Sequence, residues 1–178
     1  MARYITATEF RNRTNLQSAE YTDAQLEQLI DEATDEIDFK TNRTWQGTVS
    51  LTDEYYDGDG KTELWLEKGD VSSIDALSID EEYDGNYVSV TTSKVLLYED
   101  EGYIVLDTAR YSNIEVEQFT KGNKTVKVSF TYGNSTPTEF VKSLCALMVL
   151  NDINPSTDLQ ERIDKRINLL RTNTIRLV

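Results

Sequence analysis

The segment Asp57-Gly58-Asp59-Gly60 looks the most metal-like, because alternating Asp residues around Gly begin many calcium loops. Its register argues otherwise. With Asp57 at the first loop position, Lys61 and Lys68 fall at the fifth and twelfth, where an EF-hand needs oxygen ligands. A hairpin turn is the better reading, since Asp-Gly is a strong hairpin signal. Paired carboxylates recur at Asp53-Glu54, Glu81-Glu82 and Glu99-Asp100-Glu101, and two of them at a fixed separation could hydrolyse a glycoside. Their abundance points instead to solvated strand faces and turns. Cys145 sits inside an apolar helical run, which suits a small core residue better than a nucleophile. The chain has no histidine, so Ser-His-Asp triads and the usual zinc sites are excluded. Walker and G-x-G-x-x-G loops do not occur. No cofactor is expected, and an enzyme would have to work with carboxylates, Tyr or Lys alone.

The tyrosines 55, 56, 83, 87, 98, 103, 111 and 132 cluster in or near predicted strands. A stacking platform for sugars or bases is one reading. Cross-strand packing on a half-buried sheet is the simpler one, and the acidic neighbours discourage nucleic acid.

The elements that must position these residues follow from periodicity. Thr6 with Glu9 and Thr22 with Gln25 match capping boxes. They predict a short helix near Glu9 to Arg13 and a longer one from Asp23 to Asn42, the latter with Leu26, Leu29, Ile30, Ala33 and Ile37 in one stripe. Phe39 and Trp45 are expected to close onto the core. From Gly47 to Tyr132 the period changes to short alternating runs, including Val49-Leu51, Leu64-Leu66, Ile74-Ile79, Ile104-Leu106, Ile114-Val116 and Val126-Phe130. Gly-containing turns separate them. Seven or eight strands are expected, forming an antiparallel sandwich or open barrel. Pro137 is expected in the first turn of a largely buried helix from Thr138 to Asn151. Asn154-Pro155 is expected to cap a last helix with Leu159, Ile163, Ile167 and Leu170 along one seam. The fold class is therefore α+β: residues 1–46 and 134–178 form a small helical bundle, and residues 47–133 an acidic antiparallel β insertion, together one folding unit.

Charge follows the same division. The 178 residues carry 18 Lys plus Arg against 32 Asp plus Glu, a net of −14. From Asp53 to Asp107 sixteen acids face only Lys61, Lys68 and Lys94, a net of −13. From Glu161 to Val178 five cations face two acids, a net of +3. Such a chain as a whole repels nucleic acid. The N-terminus lacks the apolar core of a secretory signal, so the encoded chain is expected to be the mature one. The longest apolar run, Leu144 to Leu150, is far too short for a membrane span, and no membrane partner is expected.

The order of elements carries a resemblance. The helix has Leu26, Leu29, Ile30, Ala33, Ile37, Thr41 and Arg43 in the pattern L-x-x-L-I-x-x-A-x-x-x-I-x-x-x-T-x-R. A Y-D-G-x-G turn, Tyr56 to Gly60, precedes the apolar strand Leu64 to Leu66, and Val128 with Phe130 to Gly133 leads to Pro137. In this order, over about Tyr4 to Asp152, the chain resembles the head-to-tail connector proteins of tailed bacteriophages, their adaptor and head-completion proteins. The resemblance implies a subunit of a closed ring, commonly twelve-fold, in the neck of the virion. The ring is assembled in the host cytoplasm, docks on the portal protein after DNA packaging and receives the tail or a tail-completion protein. It implies no catalysis, with DNA only as passing cargo. Within that reading an acidic face of Asp57, Asp59, Glu81, Glu82, Asp84, Glu99, Asp100 and Glu101 would keep DNA from sticking to the channel, or meet a partner. The basic C-terminal segment, with Arg171, Asn173, Ile175, Arg176, Leu177 and Val178, would anchor to the portal. Two other classes compete: a carbohydrate-binding or adhesion β-module, and a carboxylate-based hydrolase.

Overall fold

The structure, a computed structural model, describes residues 3–17 and 20–172. It is α+β, with helices toward both ends of the chain and antiparallel sheets between. Two compact units are formed, one by Met1–Gly47 with Asn134–Val178 and one by Thr48–Gly133.

The first unit holds α1 (Ala7–Thr14), α2 (Asp23–Thr41), α3 (Glu139–Ile153) and α4 (Thr157–Thr172). Both capping boxes form. The Thr6 and Thr22 hydroxyls accept the amides of Glu9 and Gln25 at 3.1 and 3.3 Å, and both glutamate and glutamine side chains accept the cap residue's own N–H at 2.9 Å. Asn15 and Asn42, both left-handed, end the two helices. The α2 stripe Leu26, Ile30, Ala33 and Ile37 is buried against Val141, Leu144, Cys145 and Val149 of α3 and Ile163 and Ile167 of α4. Burial pushes the Cys145 thiol up to about 12, against the weaker pull of the nearby Thr34 hydroxyl, so Cys145 is a packing residue. Trp45 does close onto this core, edge-on to Tyr4, whose hydroxyl donates to Asp38 and accepts the Trp45 N–H at 3.1 Å.

Three local expectations are corrected here. Phe39 does not reach the core: it is 84% exposed, because two residues beyond Ile37 is about 200° around the helix. Pro137 lies outside α3, whose first residue is Glu139 and whose cap is Thr138, the hydroxyl accepting the Val141 amide at 3.4 Å. Asn154-Pro155 does not cap the last helix; Asn154 is instead the C-cap of α3, its N–H donating to the Leu150 carbonyl at 2.9 Å. The ring of Pro155 disfavours helical backbone at Asn154, which ends α3 there, and α4 starts only at Thr157. Three of the four residues expected on the α4 seam pack on this core, Ile163 and Ile167 buried and Leu170 beside them, while Leu159 is half-buried and outside the cluster.

The second unit holds β1 (Val49–Gly58), β2 (Glu63–Trp65), β3 (Val71–Ile79), β4 (Val88–Val90), β5 (Val95–Tyr98), β6 (Tyr103–Leu106) and β7 (Gly122–Tyr132). All pairings are antiparallel, in a four-stranded sheet ordered β1-β7-β3-β4 and a three-stranded sheet ordered β2-β6-β5. This is two open sheets rather than a closed barrel. Their inner faces share one core: Leu77, Ile79, Val90, Val126, Val128 and Phe130 from the larger sheet, Leu64, Ile104 and Leu106 from the smaller. No helix among the described residues is long and apolar enough to cross a membrane.

Ile114–Val116, expected as a strand, is irregular. The reason is spacing. Val116 and Phe119 are both buried, and residues three apart cannot share one face of a period-two strand. Side chains tie this connection down instead: the Glu115 carboxylate accepts from the Thr91 hydroxyl at 2.7 Å and from Lys94 Nζ at 3.0 Å. These bonds to Thr91 and Lys94 hold its pKa down from 4.5 to about 2. A depressed carboxylate pKa gives a contribution that is complete above the unfolded value and vanishes as pH falls through the folded one. The protection factors of amides in residues 107–121, observed exchange taken relative to the intrinsic rate at each pH, are therefore expected to fall as pH drops from about 4.5 to about 2. In Glu115→Gln that fall should be absent, and a wild-type profile in this variant would refute the tether.

Candidate interaction surface

Asp57 and Gly58 are the last residues of β1 and Asp59-Gly60 begins the connection to β2; the expected hairpin does not form here, because β1 pairs with β7 and β2 with β6 in the other sheet. An added Cβ at Gly58 would lie 1.9 Å from the Thr120 carbonyl oxygen, and Gly60 has φ +83°, so both glycines are required by the backbone. The carboxylates serve different backbones. Asp57 accepts the Lys124 amide at 2.8 Å, and Asp59 accepts the Lys61 amide at 2.9 Å. Partial burial pushes Asp59 up, yet the Lys61 amide and ammonium outweigh it and hold the carboxyl below its usual value. That is opposite to what a general acid needs. Among the described residues no three His, Cys, Asp or Glu side chains are gathered as for a metal.

One concave feature of this unit is a cleft of about 440 Å³ between β1 and β2, lined by Glu54, Tyr55, Tyr56, Asp57, Asp59, Glu63, Leu64, Trp65 and Glu67. Alternation builds it. Leu64 and Leu66 turn inward to the core, so Glu63, Trp65 and Glu67 turn outward. Tyr56 braces the cleft by donating to the Leu66 carbonyl at 2.9 Å, and burial, with Glu67 and Glu54 nearby, pushes its phenol up. Glu54, Glu63 and Glu67 form no ion pair with a lysine or arginine among the described residues. The cleft is thus a concentration of negative charge with an aromatic wall.

That wall continues across the smaller sheet. Trp65 pairs with Tyr103, and Tyr103 with Tyr98, so the three rings form one outward row. Tyr98 stacks on Tyr103 at 4.3 Å between centroids and 8° between planes, and Trp65 lies 4.7 Å from the other side. Both faces of the central ring are therefore taken by its neighbours. The row matches cross-strand packing and leaves Tyr103 no free face for a sugar, while Trp65 and Tyr98 at its ends remain 38% and 40% exposed.

The eight residues expected on an acidic face divide into two groups. Asp57, Asp59, Glu81, Glu82 and Asp84 gather at the end of the larger sheet where Gly58 pairs with Gly122 and Asp80 donates to Thr125. Glu99, Asp100 and Glu101 form the β5–β6 turn, whose Glu99 carbonyl accepts the Val71 amide at the other end of β3. The nine residues of β3 separate the groups by about 27 Å. Glu101 is half-buried and the other seven are exposed. Sequence reading missed Trp65 as a surface residue, although its place between two core leucines was the available signal.

In the helical unit, Arg171 is exposed near the end of α4, while Asn173, Ile175, Arg176, Leu177 and Val178 lie outside the described residues. Leu169, off the buried seam, is 61% exposed.

No protein-family model matches the chain, and no curated protein matches it. Solved structures do. A chain in the neck of an empty GTA particle, computed with C6 symmetry, is similar with TM-score 0.62 and 16% identity, covering 98% of this chain and 92% of that one. A chain of the virion of a native gene transfer agent (GTA) particle gives TM-score 0.56 and 17% identity, with the same coverage. A third, in the neck of a native GTA particle computed with C12 symmetry, gives 0.56 and 16% over 97% and 90% of the two chains. At such identities the likeness is one of fold, and it extends over nearly the whole chain.

Proposed function

We propose that the chain is a structural, non-enzymatic subunit of a virion neck: a ring-forming head-to-tail adaptor that docks on a portal after DNA packaging and offers the attachment surface for the tail or its completion proteins. The observation that carries this reading is full-length similarity of fold to chains from GTA particles, two of them neck structures treated with six-fold or twelve-fold symmetry. The order of helices and strands that resembles phage connectors supports it independently. A ring of identical subunits needs a head-to-tail contact whose rotation closes. Negative charge distributed over both ends of the β-unit suits a surface past which DNA moves without adhering. The C-terminal segment from Arg171, including Asn173, Ile175, Arg176, Leu177 and Val178, is the proposed portal anchor.

The test is electron microscopy of particles made when the gene is disrupted in the virus that encodes it. Filled or leaking heads without tails are expected, and normal tailed particles would refute the neck role. Supplying a chain truncated after Leu170 should fail to restore tails while leaving the thermal unfolding midpoint close to that of the full chain. Restored tails would refute the anchor alone.

A further inference from the structure

The β1–β2 cleft is flanked by two open sheet edges. Strand β1 ends the order β1-β7-β3-β4 and β2 ends the order β2-β6-β5, so among the described residues each pairs on one side only. On β2 alternation fixes the free side. Leu66 donates to the Gly102 carbonyl and Thr62 accepts the Leu106 amide, both at 2.9 Å, so the backbones of residues 62, 64 and 66 face β6 while those of Glu63 and Trp65 face away. On β1 a bulge between Leu51 and Glu54 interrupts the edge, and beyond it Glu54, Tyr55 and Tyr56 run in regular register. That regular stretch lines the cleft. We propose that the cleft binds an extended, arginine-bearing segment of a partner protein, which pairs with one of these edges and sets its guanidinium groups among Glu54, Glu63 and Glu67.

The open edges select an extended backbone, because an added strand satisfies their free amides and carbonyls in ladder geometry. The walls run about 10 Å from Glu54 to Asp57 and about 13 Å from Glu63 to Glu67, room for about four extended residues. Charge selects the sign. Five carboxylates, Glu54, Asp57, Asp59, Glu63 and Glu67, line the cleft, and no cation does. Lys61 offsets Asp59 from 3.2 Å and Lys68 lies over the Tyr132 ring instead, which leaves the other four without a cationic side-chain partner among the described residues. The aromatic wall selects arginine over lysine. Trp65 and Tyr55 are exposed, and a planar guanidinium stacks on such a ring while forking to a carboxylate, which an ammonium does not. The same carboxylates repel acidic strands, so the edge stays closed to the β-units of other copies while admitting this segment. The site follows from the β-unit alone and stands apart from the neck reading.

Full-length chain in ¹⁵N is titrated with the peptide acetyl-VRTRVRT-amide in about 50 mM NaCl, where charges are weakly screened. Saturable amide shifts are expected in residues 54–57 and 63–67 and at the Trp65 indole, with a Kd below about 1 mM. Glu63→Gln with Glu67→Gln should weaken binding at least about tenfold. Both positions are exposed, and circular dichroism checks the fold. The same peptide N-methylated at its backbone nitrogens keeps its charge and loses its donors, and it too should bind the unaltered chain at least about tenfold more weakly. Spermine, which has charge and no strand edge, is expected to fall short by a similar factor. Absence of saturable shifts, shifts centred on Glu81–Asp84 or Glu99–Glu101, undiminished binding by the double variant, or equal binding of the methylated peptide or of spermine would each overturn the proposal.

Discussion

Phe130→Ala is expected to destabilise the β-unit by about 3–5 kcal/mol, the range for emptying a fully buried aromatic site. Phe130 is 0% exposed near the C-terminal end of β7, opposite Leu51 on β1 and Ile74 on β3, so its ring joins the strands on both sides. Valines 126 and 128 precede it on the same strand and are also fully buried, and none of these neighbours can fill an aromatic-sized void without moving a paired backbone. Urea unfolding followed by amide exchange would read the loss directly. Protection in β1, β3 and β7 should fall together, while α2 and α3, whose core residues belong to a different cluster, should keep theirs. A loss below about 1 kcal/mol would mean that the site collapses readily and that Phe130 is not central to the sheet.

Gly102→Ala is expected to cost about 2–5 kcal/mol, from two additive sources. Gly102 has φ +71°, a conformation that costs an L side chain about 1–2 kcal/mol. Its new Cβ would sit 1.6 Å from the Lys68 carbonyl oxygen, and backbone displacement of that kind adds about 1–3 kcal/mol. The consequence reaches the interaction surface. Gly102 accepts the Leu66 amide at 2.9 Å and donates to the Tyr98 carbonyl at 2.9 Å, so it holds the β5–β6 turn beside the end of β2. Displacing it separates Tyr98, Tyr103 and Trp65. The near-ultraviolet circular dichroism of the stacked rings should decline along with the unfolding midpoint. An alanine variant with wild-type stability and an unchanged aromatic signal would refute the close approach at this turn.

How much of this was legible beforehand differs from element to element. The capping boxes at Thr6 and Thr22 and the α2 stripe needed only local information, since a hydroxyl three residues from a carboxylate or amide and a 3.6-residue repeat act within one helix. The core strands were legible where a residue every second position turns inward. One failure came where a distant partner decided the outcome. Ile114–Val116 has the composition of a strand, yet Val116 and Phe119 are both drawn into a core made by other segments. Phe39 was read as core because it is aromatic, although its angle from Ile37 already placed it outside.

The candidate surface divides in the same way. Sequence by itself determined the α+β class, the helices toward both ends of the chain and the opposed charges of the segments around Asp53–Asp107 and Glu161–Val178, because periodicity and charge are properties of neighbouring residues. It also determined that histidine chemistry is absent. Only tertiary structure decided which acids stand together. Strand register put Glu54 and Glu63 into one cleft and left Glu101 about a strand's length from Asp59, and it aligned Trp65, Tyr103 and Tyr98, which are up to 38 residues apart in sequence, into one row. Register is set by the sum of pairings over whole sheets and by the core they enclose, so no short stretch of the chain contains it.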